Sequence, residues 1–352
     1  MKTLRPFFAI LALVALASCC NEPKDKHLTR DFTAIDTTGF YRTFDDVHSK
    51  PCNELHSMLV IRDGKIVYEE YAPGHTADEL HILWSASKTF TATGVGFAVQ
   101  DGLLSVEDKV VSFFDETELP EEPSEYLKQM TVKNLLTMSG GFAEDAIHRL
   151  GSLGDTVSWA KTTLGADFIF EPGQKFSYNS MESYLLSVIV SKVTGKTLAG
   201  YLKEKLFDPL GIQRFIYLQS PQGYNCGGWG LFLTSESLAK MGQFFLNRGE
   251  WNGKRLLNEE WFDEAMSAQV MQWQQSSEWD PADDEQFKDN EWGRGYGYQM
   301  WVCTHGAYRL DGAWGQLVVI IPEKNSAVVF TGHNSLTGQL IESVWKYVLP
   351  AL

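Results

Sequence analysis

What most narrows the fold is where the chain changes its hydrophobic period. Met58-Leu59-Val60-Ile61 and Lys65-Ile66-Val67-Tyr68 flank Asp63-Gly64, a pair suited to positive φ, so Ser57 to Tyr71 reads as a β-hairpin. Strand-like runs return only near the other end, at Tyr296 to Cys303, Ala307 to Leu310, Leu317 to Ile321 and Ala327 to Thr331. A closing helix is expected from Leu336 to Val348. Between the two ends the pattern is helical: Ser85 to Gln100, Val132 to Met138, Ser180 to Val193, Leu198 to Leu206, Ser235 to Asn247 and Glu259 to Ala268. Strands do not alternate with helices, which argues against a doubly wound parallel sheet. The expected fold is α+β: an antiparallel sheet formed from both chain ends, flanked by helices, with an inserted mainly helical region over residues 100–270. No repeat or internal linker divides residues 46–352, so one composite unit is expected there.

The 352 residues are 44% hydrophobic, enough for a sizeable core, and carry a formal charge of −15. That acidity repels nucleic acid and anionic membrane surfaces. The first residues read as an export signal: Lys2 and Arg5 precede an apolar stretch, Phe7 to Ala17, too short to span a bilayer. Leu16-Ala17-Ser18-Cys19 resembles a bacterial lipobox, which makes residues 1–18 a lipoprotein signal peptide and Cys19 the lipidated residue. Residues 19–45 are expected to be a polar tether. The expected location is the cell envelope, at the periplasmic or extracellular face, with the lipid anchor as the only membrane contact. Of the remaining cysteines, Cys52, Cys226 and Cys303, the second and third are the preferred pair for a disulfide in an oxidising compartment. No CxxC pair or HExxH spacing occurs, so neither a catalytic metal nor a cofactor is expected.

The chemistry is concentrated at Ser85-Ala86-Ser87-Lys88, where Ile82-Leu83-Trp84 runs into a helix. Residues three apart at a helix start share a face, so Lys88 can sit beside the Ser85 hydroxyl. A serine is a weak nucleophile until a neighbour takes its proton, and a desolvated lysine can do that or can polarise a second base. By itself the tetrapeptide also fits helix capping. Two further stretches carry more weight: Thr131-Val132-Lys133-Asn134-Leu135-Leu136-Thr137-Met138-Ser139-Gly140-Gly141, and Glu171-Pro172-Gly173-Gln174-Lys175-Phe176-Ser177-Tyr178-Asn179-Ser180 before a helix ending Val193-Thr194-Gly195-Lys196-Thr197.

Together, and in this order, these segments resemble the serine β-lactamase-related family, which includes class C β-lactamases, D,D-peptidases, some esterases and the 6-aminohexanoate-oligomer hydrolases. The resemblance implies that Ser85 is acylated, Lys88 activates it and Tyr178 exchanges protons with nucleophile and leaving group. A phenol acts as a base only if a cation depresses its pKa, and Lys88 is the candidate cation. Relatives often read Tyr-x-Asn, so Ser180 stands where the amide is expected and either Asn179 or Ser180 faces the substrate. The third motif aligns with Ala313-Trp314-Gly315, without the cation of class C enzymes. On that alignment Gly315 allows close approach, and the amides of Ser85 and Gln316 form the oxyanion hole. Arg309 could replace the missing charge if it points inward, although an edge position would leave it solvated. Cys226-Gly227-Gly228-Trp229-Gly230 also resembles the oligomer-hydrolase and esterase branch, its glycines suited either to close passage by the site or to packing.

Eight of the eleven tryptophans lie between Trp229 and Trp314. Core packing accounts for Trp229, Trp261 and Trp301, whereas Trp273, Trp279, Trp292 and Trp314 are expected to wall an apolar or amide substrate pocket. The leading expectation is an exported serine hydrolase cleaving a small-molecule ester, amide or peptide through a Ser85 acyl-enzyme. The alternatives are a penicillin-recognising D,D-peptidase or weak β-lactamase, and a catalytically silent envelope-binding lipoprotein.

Overall fold

The structure is a computed structural model that describes residues 27–147, 150, 157–271 and 290–352. The signal, Cys19, Trp273 and Trp279 lie outside the described residues. Among those described, no helix is long and apolar enough to cross a membrane.

The hairpin forms as expected, with β1 at Glu54–Arg62 and β2 at Lys65–Tyr71. The other end of the chain contributes β8 (Trp301–Val302), β9 (Tyr308–Gly312), β10 (Gln316–Ile321) and β11 (Ser326–His333). Short strands lie between: β3 (His81–Ile82), β4 (Ile216–Tyr217) and β5 (Leu231–Leu233) form a small sheet, and β6 (Glu250–Trp251) pairs with β7 (Lys254–Arg255). The main sheet is antiparallel in the order β2-β1-β11-β10-β9-β8, so the two chain ends meet where β1 pairs with β11. Leu59 opposes Val329, Val60 opposes Val328 and Ile61 opposes Ala327 at that junction. Both faces of the sheet are covered, and its central strands accordingly read as continuous apolar runs rather than alternating ones.

One face packs on the helical region. Leu59, Ile61, Val318, Ile320, Ala327 and Val329 meet the core that holds Phe90 and Val95 of α2 (Ser87–Gln100), Leu185 and Ile189 of α3 (Ser180–Thr194), and Leu238 and Met241 of α4 (Ser235–Leu246). Helix α2 follows a single 3-10 turn, Trp84–Ala86, so the helix expected from Ser85 begins two residues later. It has no polar stripe: nearly every position is buried, which is why its sequence is apolar and small on all sides. Helix α3 starts at a capping Asn179, whose side chain accepts from the Met181 amide, and ends at Gly195 in the left-handed conformation. The other face carries a second core, with Met58, Val60, Leu317, Val319 and Val328 beneath the closing helix, which covers Thr337–Ser343 and continues through Val348.

That second core also corrects the reading of residues 19–45 as a tether. From His27 onward the segment is bound to the body. Thr29 and Asp31 exchange backbone hydrogen bonds with Ile66, and Arg30 pairs with Glu69 and Glu236. Helix α1 (Tyr41–His48) then buries Phe40, Phe44 and Val47 on the outer face. Polar composition hid this because only one face of the short helix is apolar.

The expected Cys226–Cys303 disulfide is absent: Cys52, Cys226 and Cys303 are free thiols. Cys303 packs in the outer core, while Cys226 lies in the loop between β4 and β5 on the helical side, its amide bonded to Leu218. Removal of the Phe40 ring tests the docking of the N-terminal segment. Phe40→Ala is expected to cost about 3 kcal/mol in urea unfolding, and a negligible change would mean that this segment is only loosely held.

Candidate active site

The site begins with a bend. Trp84 has φ 47°, a conformation costly for a bulky side chain, and it aims the next residue, Ser85, out of the turn that leads into α2. The strain is held by packing from two sides. The Leu83 amide bonds to Leu231, anchoring the approach, while the end of β9 presses on the turn. A methyl group on Gly312 would stand 2.1 Å from the Leu83 carbonyl oxygen and 3.0 Å from the Ala86 nitrogen. Only glycine permits that contact.

Lys88 lies one turn into the helix, is 1% exposed, and points back at Ser85. Its Nζ is 3.2 Å from Ser85 Oγ, 3.2 Å from Ser180 Oγ and 2.8 Å from the Gly228 carbonyl oxygen. Burial lowers its pKa to about 7, against which the nearby Asp145 carboxylate acts in the opposite sense. The contacts suit the neutral amine. It has two N–H donors and one lone pair, which match the acceptors on Gly228 and Ser180 and leave the lone pair for the Ser85 hydroxyl proton.

Tyr178 completes the group. Its ring lies under Lys88 Nζ at 4.9 Å, and Ser85 is close enough to act against the burial of its hydroxyl. Burial raises its pKa above that of an ordinary phenol, outweighing the opposing effect of Ser85. Of the two roles open to a desolvated lysine, the shifts favour Lys88 itself taking the Ser85 proton over Lys88 depressing the Tyr178 phenol.

Helix α3 settles which polar neighbour serves the site. Ser180 touches Lys88, and its amide donates to Asp145 Oδ2 at 2.6 Å. Asn179 is turned away: it is 2% exposed, caps the helix, and donates from Nδ2 to the Glu144 carbonyl. Of the two candidates, Ser180 lies with the group around Lys88 and Asn179 is committed to the helix cap and the Glu144 carbonyl. The glycine loop does approach the site closely. A methyl group on Gly228 would come within 2.6 Å of the Ser180 carbonyl oxygen and 3.4 Å of Lys88 Nζ.

The third motif is also corrected. Gly315 faces Leu340 and Asn334, on the side of the closing helix, whereas Gly312 is the glycine against the nucleophile. Gln316 sits opposite Gly312 on β10, and its buried side chain donates to the carbonyls of Trp314 and Gly332. Trp314 is 40% exposed, has φ 65°, and stacks on His333 at 4.3 Å. The aromatic contact with Tyr178 comes from elsewhere. Trp301 stacks on its ring at 5.8 Å, Tyr296 meets it edge-on, and Trp292 packs on Trp301 at 5.0 Å. Trp301 is thus a wall of the site rather than remote core, while Trp261 is buried against Gly96 and Trp229 stacks on Trp159.

Arg309 is not solvated on an edge. It is fully buried, paired with Asp311 at 2.8 Å, bonded to the Glu291 carbonyl and Cys303 Sγ, and stacked under Trp292 and Trp301. Burial raises the pKa of Asp311, against the pull of Arg309. Asp145, Gly312 and the Arg309–Asp311 pair escaped the sequence reading because each depends on tertiary approach, not local spacing.

The beta-lactamase family model matches residues 56–340. The chain belongs to that family. A 6-aminohexanoate-dimer hydrolase from Paenarthrobacter ureafaciens is 25% identical over 231 residues, covering 60% of this chain and 57% of that protein. Among solved structures, the octameric penicillin-binding protein homologue from Pyrococcus abyssi shares the fold at TM-score 0.64 and 21% identity, covering 89% of this chain and 76% of that one. EstCE1, described as a hydrolase with promiscuous acyltransferase activity, matches at TM-score 0.67 and 16% identity, over 88% and 98% of the two chains. The chain spans about half the length of the curated relatives it matches.

The Lys88 environment predicts a pH profile. Labelling of Ser85 by a fluorophosphonate should rise with pH through a midpoint near 7, as Lys88 loses its proton. A rate that is flat between pH 5 and 9, measured by intact mass, would contradict the assignment of Lys88 as base.

Proposed function

We propose that the chain is an exported, lipid-anchored serine hydrolase that cleaves an ester or amide through an acyl-enzyme on Ser85, with Cys19 carrying the lipid at the cell envelope. The observation that carries the catalytic part is the buried Lys88 amine, 3.2 Å from Ser85 Oγ and with its pKa lowered to about 7. Residues 46–352 form the catalytic unit in this reading.

Ser85 Oγ attacks the substrate carbonyl carbon while Lys88 Nζ takes the hydroxyl proton. The developing oxyanion is met by the Ser85 amide and by backbone at the end of β9, next to Gly312, in place of Gln316. Tyr178, a neutral phenol beside Ser85, donates a proton to the departing oxygen or nitrogen and recovers one from the Lys88 ammonium. Collapse breaks the scissile bond and leaves the acyl group on Ser85. Water then attacks the ester with the same groups working in reverse, which regenerates Ser85 and neutral Lys88.

Substrate choice rests on the walls. Half-buried Trp301 and Trp292 lie beside Tyr178, with Tyr296 buried behind its ring, and the only guanidinium on β9, Arg309, is committed to Asp311. Among the described residues β9 therefore offers a substrate carboxylate no uncommitted guanidinium, which favours neutral acyl groups over D-Ala-D-Ala termini or β-lactams. The 6-aminohexanoate-dimer hydrolase relative is in line with this reading, and the D-alanyl-D-alanine carboxypeptidase relatives with its alternative.

A panel of p-nitrophenyl esters, short amide oligomers, D-alanyl peptides and nitrocefin tests this. Ester or amide turnover is expected, absent in Ser85→Ala and lowered roughly 10²–10⁴-fold in Tyr178→Phe. Turnover confined to D-alanyl peptides or nitrocefin would overturn the substrate class, and equal turnover by Ser85→Ala would overturn the mechanism.

A further inference from the structure

Outside the catalytic group, folding gathers three imidazoles and two carboxylates from separate stretches of chain. Glu54 and His56 open β1, with His56 at the bulge between Leu55 and Ser57; His75 and Glu79 lie on the loop after β2; His81 opens β3. Possible ligand atoms of His56, Glu79 and His81 all lie within 4.8 Å of one another, as do those of Glu54, His56 and His75.

The two triads are not equivalent. The rings of His56 and His75 are stacked at 3.9 Å with only 14° between their planes, so their in-plane lone pairs run alongside each other. His56 and His81 are inclined at 36°, and their Nδ1 atoms are 3.4 Å apart. Two nitrogens bound to one zinc ion at the usual bond lengths in a tetrahedral arrangement stand roughly 3.3 Å apart. His81 is only 6% exposed, and its Nε2 has no hydrogen-bond partner among the described residues, lying 4.0 Å from Glu79 Oε2. An ion held between the two Nδ1 atoms would leave His81 Nε2 as an N–H facing Glu79, so the Nδ1 spacing is the observation that points to a metal.

We propose that His56, Glu79 and His81 bind a divalent transition metal ion, zinc by the chemistry of two imidazoles and a carboxylate, with one coordination position left open. His75 holds the carboxylate, its Nδ1 2.8 Å from Glu79 Oε2, and is itself 3.3 Å through Nε2 from Glu54. In this proposal the ion's role is positional, with water in the open fourth position. It ties β1 and the loop after β2 to β3, the strand that runs through Leu83 and Trp84 into Ser85. No catalytic step passes through the ion, so the absence of metal-protease spacing in the sequence bears only on catalysis.

The test uses the full chain without a histidine tag, stripped with EDTA and titrated with ZnCl₂. Calorimetry and elemental analysis should give one zinc per chain, with a rise in melting temperature. His56→Gln and Glu79→Gln should each weaken binding at least tenfold while circular dichroism stays native. Glu79 is partly exposed, so its substitution tests the site without disturbing the core. No zinc uptake by the wild type, or unchanged uptake in both variants, overturns the site. The readout is bound metal, so its failure leaves the Ser85 assignment untouched.

Discussion

The structure turns on the burial of one amine. An ammonium ion inside a protein is costly, and a chain that places Lys88 among apolar residues must either pair it or let it lose its proton. This fold does the second. Among the described residues no carboxylate is in direct contact with Lys88 Nζ; the charge that acts on it is Asp145, which is occupied by the Ser180 and Ile147 amides. The remaining partners of Lys88 are a carbonyl and two hydroxyls, all able to serve a neutral amine. Stability and reactivity are thereby linked, because the desolvation that disfavours the charge also creates the base.

The rest of the molecule keeps that arrangement from relaxing. The junction of β1 and β11 fixes the sheet, and β9 then delivers Gly312 onto the strained turn at Trp84. On the opposite side, Gly228 brings its carbonyl to Lys88 because no side chain intervenes. A buried Gln299 ties the pieces together. Its backbone carbonyl accepts from Thr89 of α2, its side chain meets Ser183 of α3, and its amide groups donate to the Leu135 and Leu136 carbonyls.

Much of this was legible in the sequence where the signal is local. The hairpin, the helices and the late strands follow hydrophobic period, and Ser85 with Lys88 follows helix geometry. Tyr178 came through resemblance to known motifs. What could not be read depends on approach across the fold. Asn179 and Ser180 are adjacent in sequence, and only the start of α3 decides that one caps while the other faces Lys88. Gly312 and Gly315 are equally plausible glycines until the register of β9 against the Ser85 turn is known. Arg309 looked like an edge cation because β9 is nearly the last strand, yet Trp292 and Trp301 fold over it. The α1 segment looked like a tether because a one-faced helix of eight residues has little apolar content.

The central claim is that burial brings the titration of Lys88 down to near neutrality in the resting protein, so that much of it is uncharged at physiological pH. Titration of its side-chain amine by heteronuclear NMR on selectively labelled lysine tests this directly, with Lys88→Met used to assign the resonance. A midpoint close to 7 is expected. A midpoint near that of an ordinary exposed lysine, about 10.4, would contradict the account.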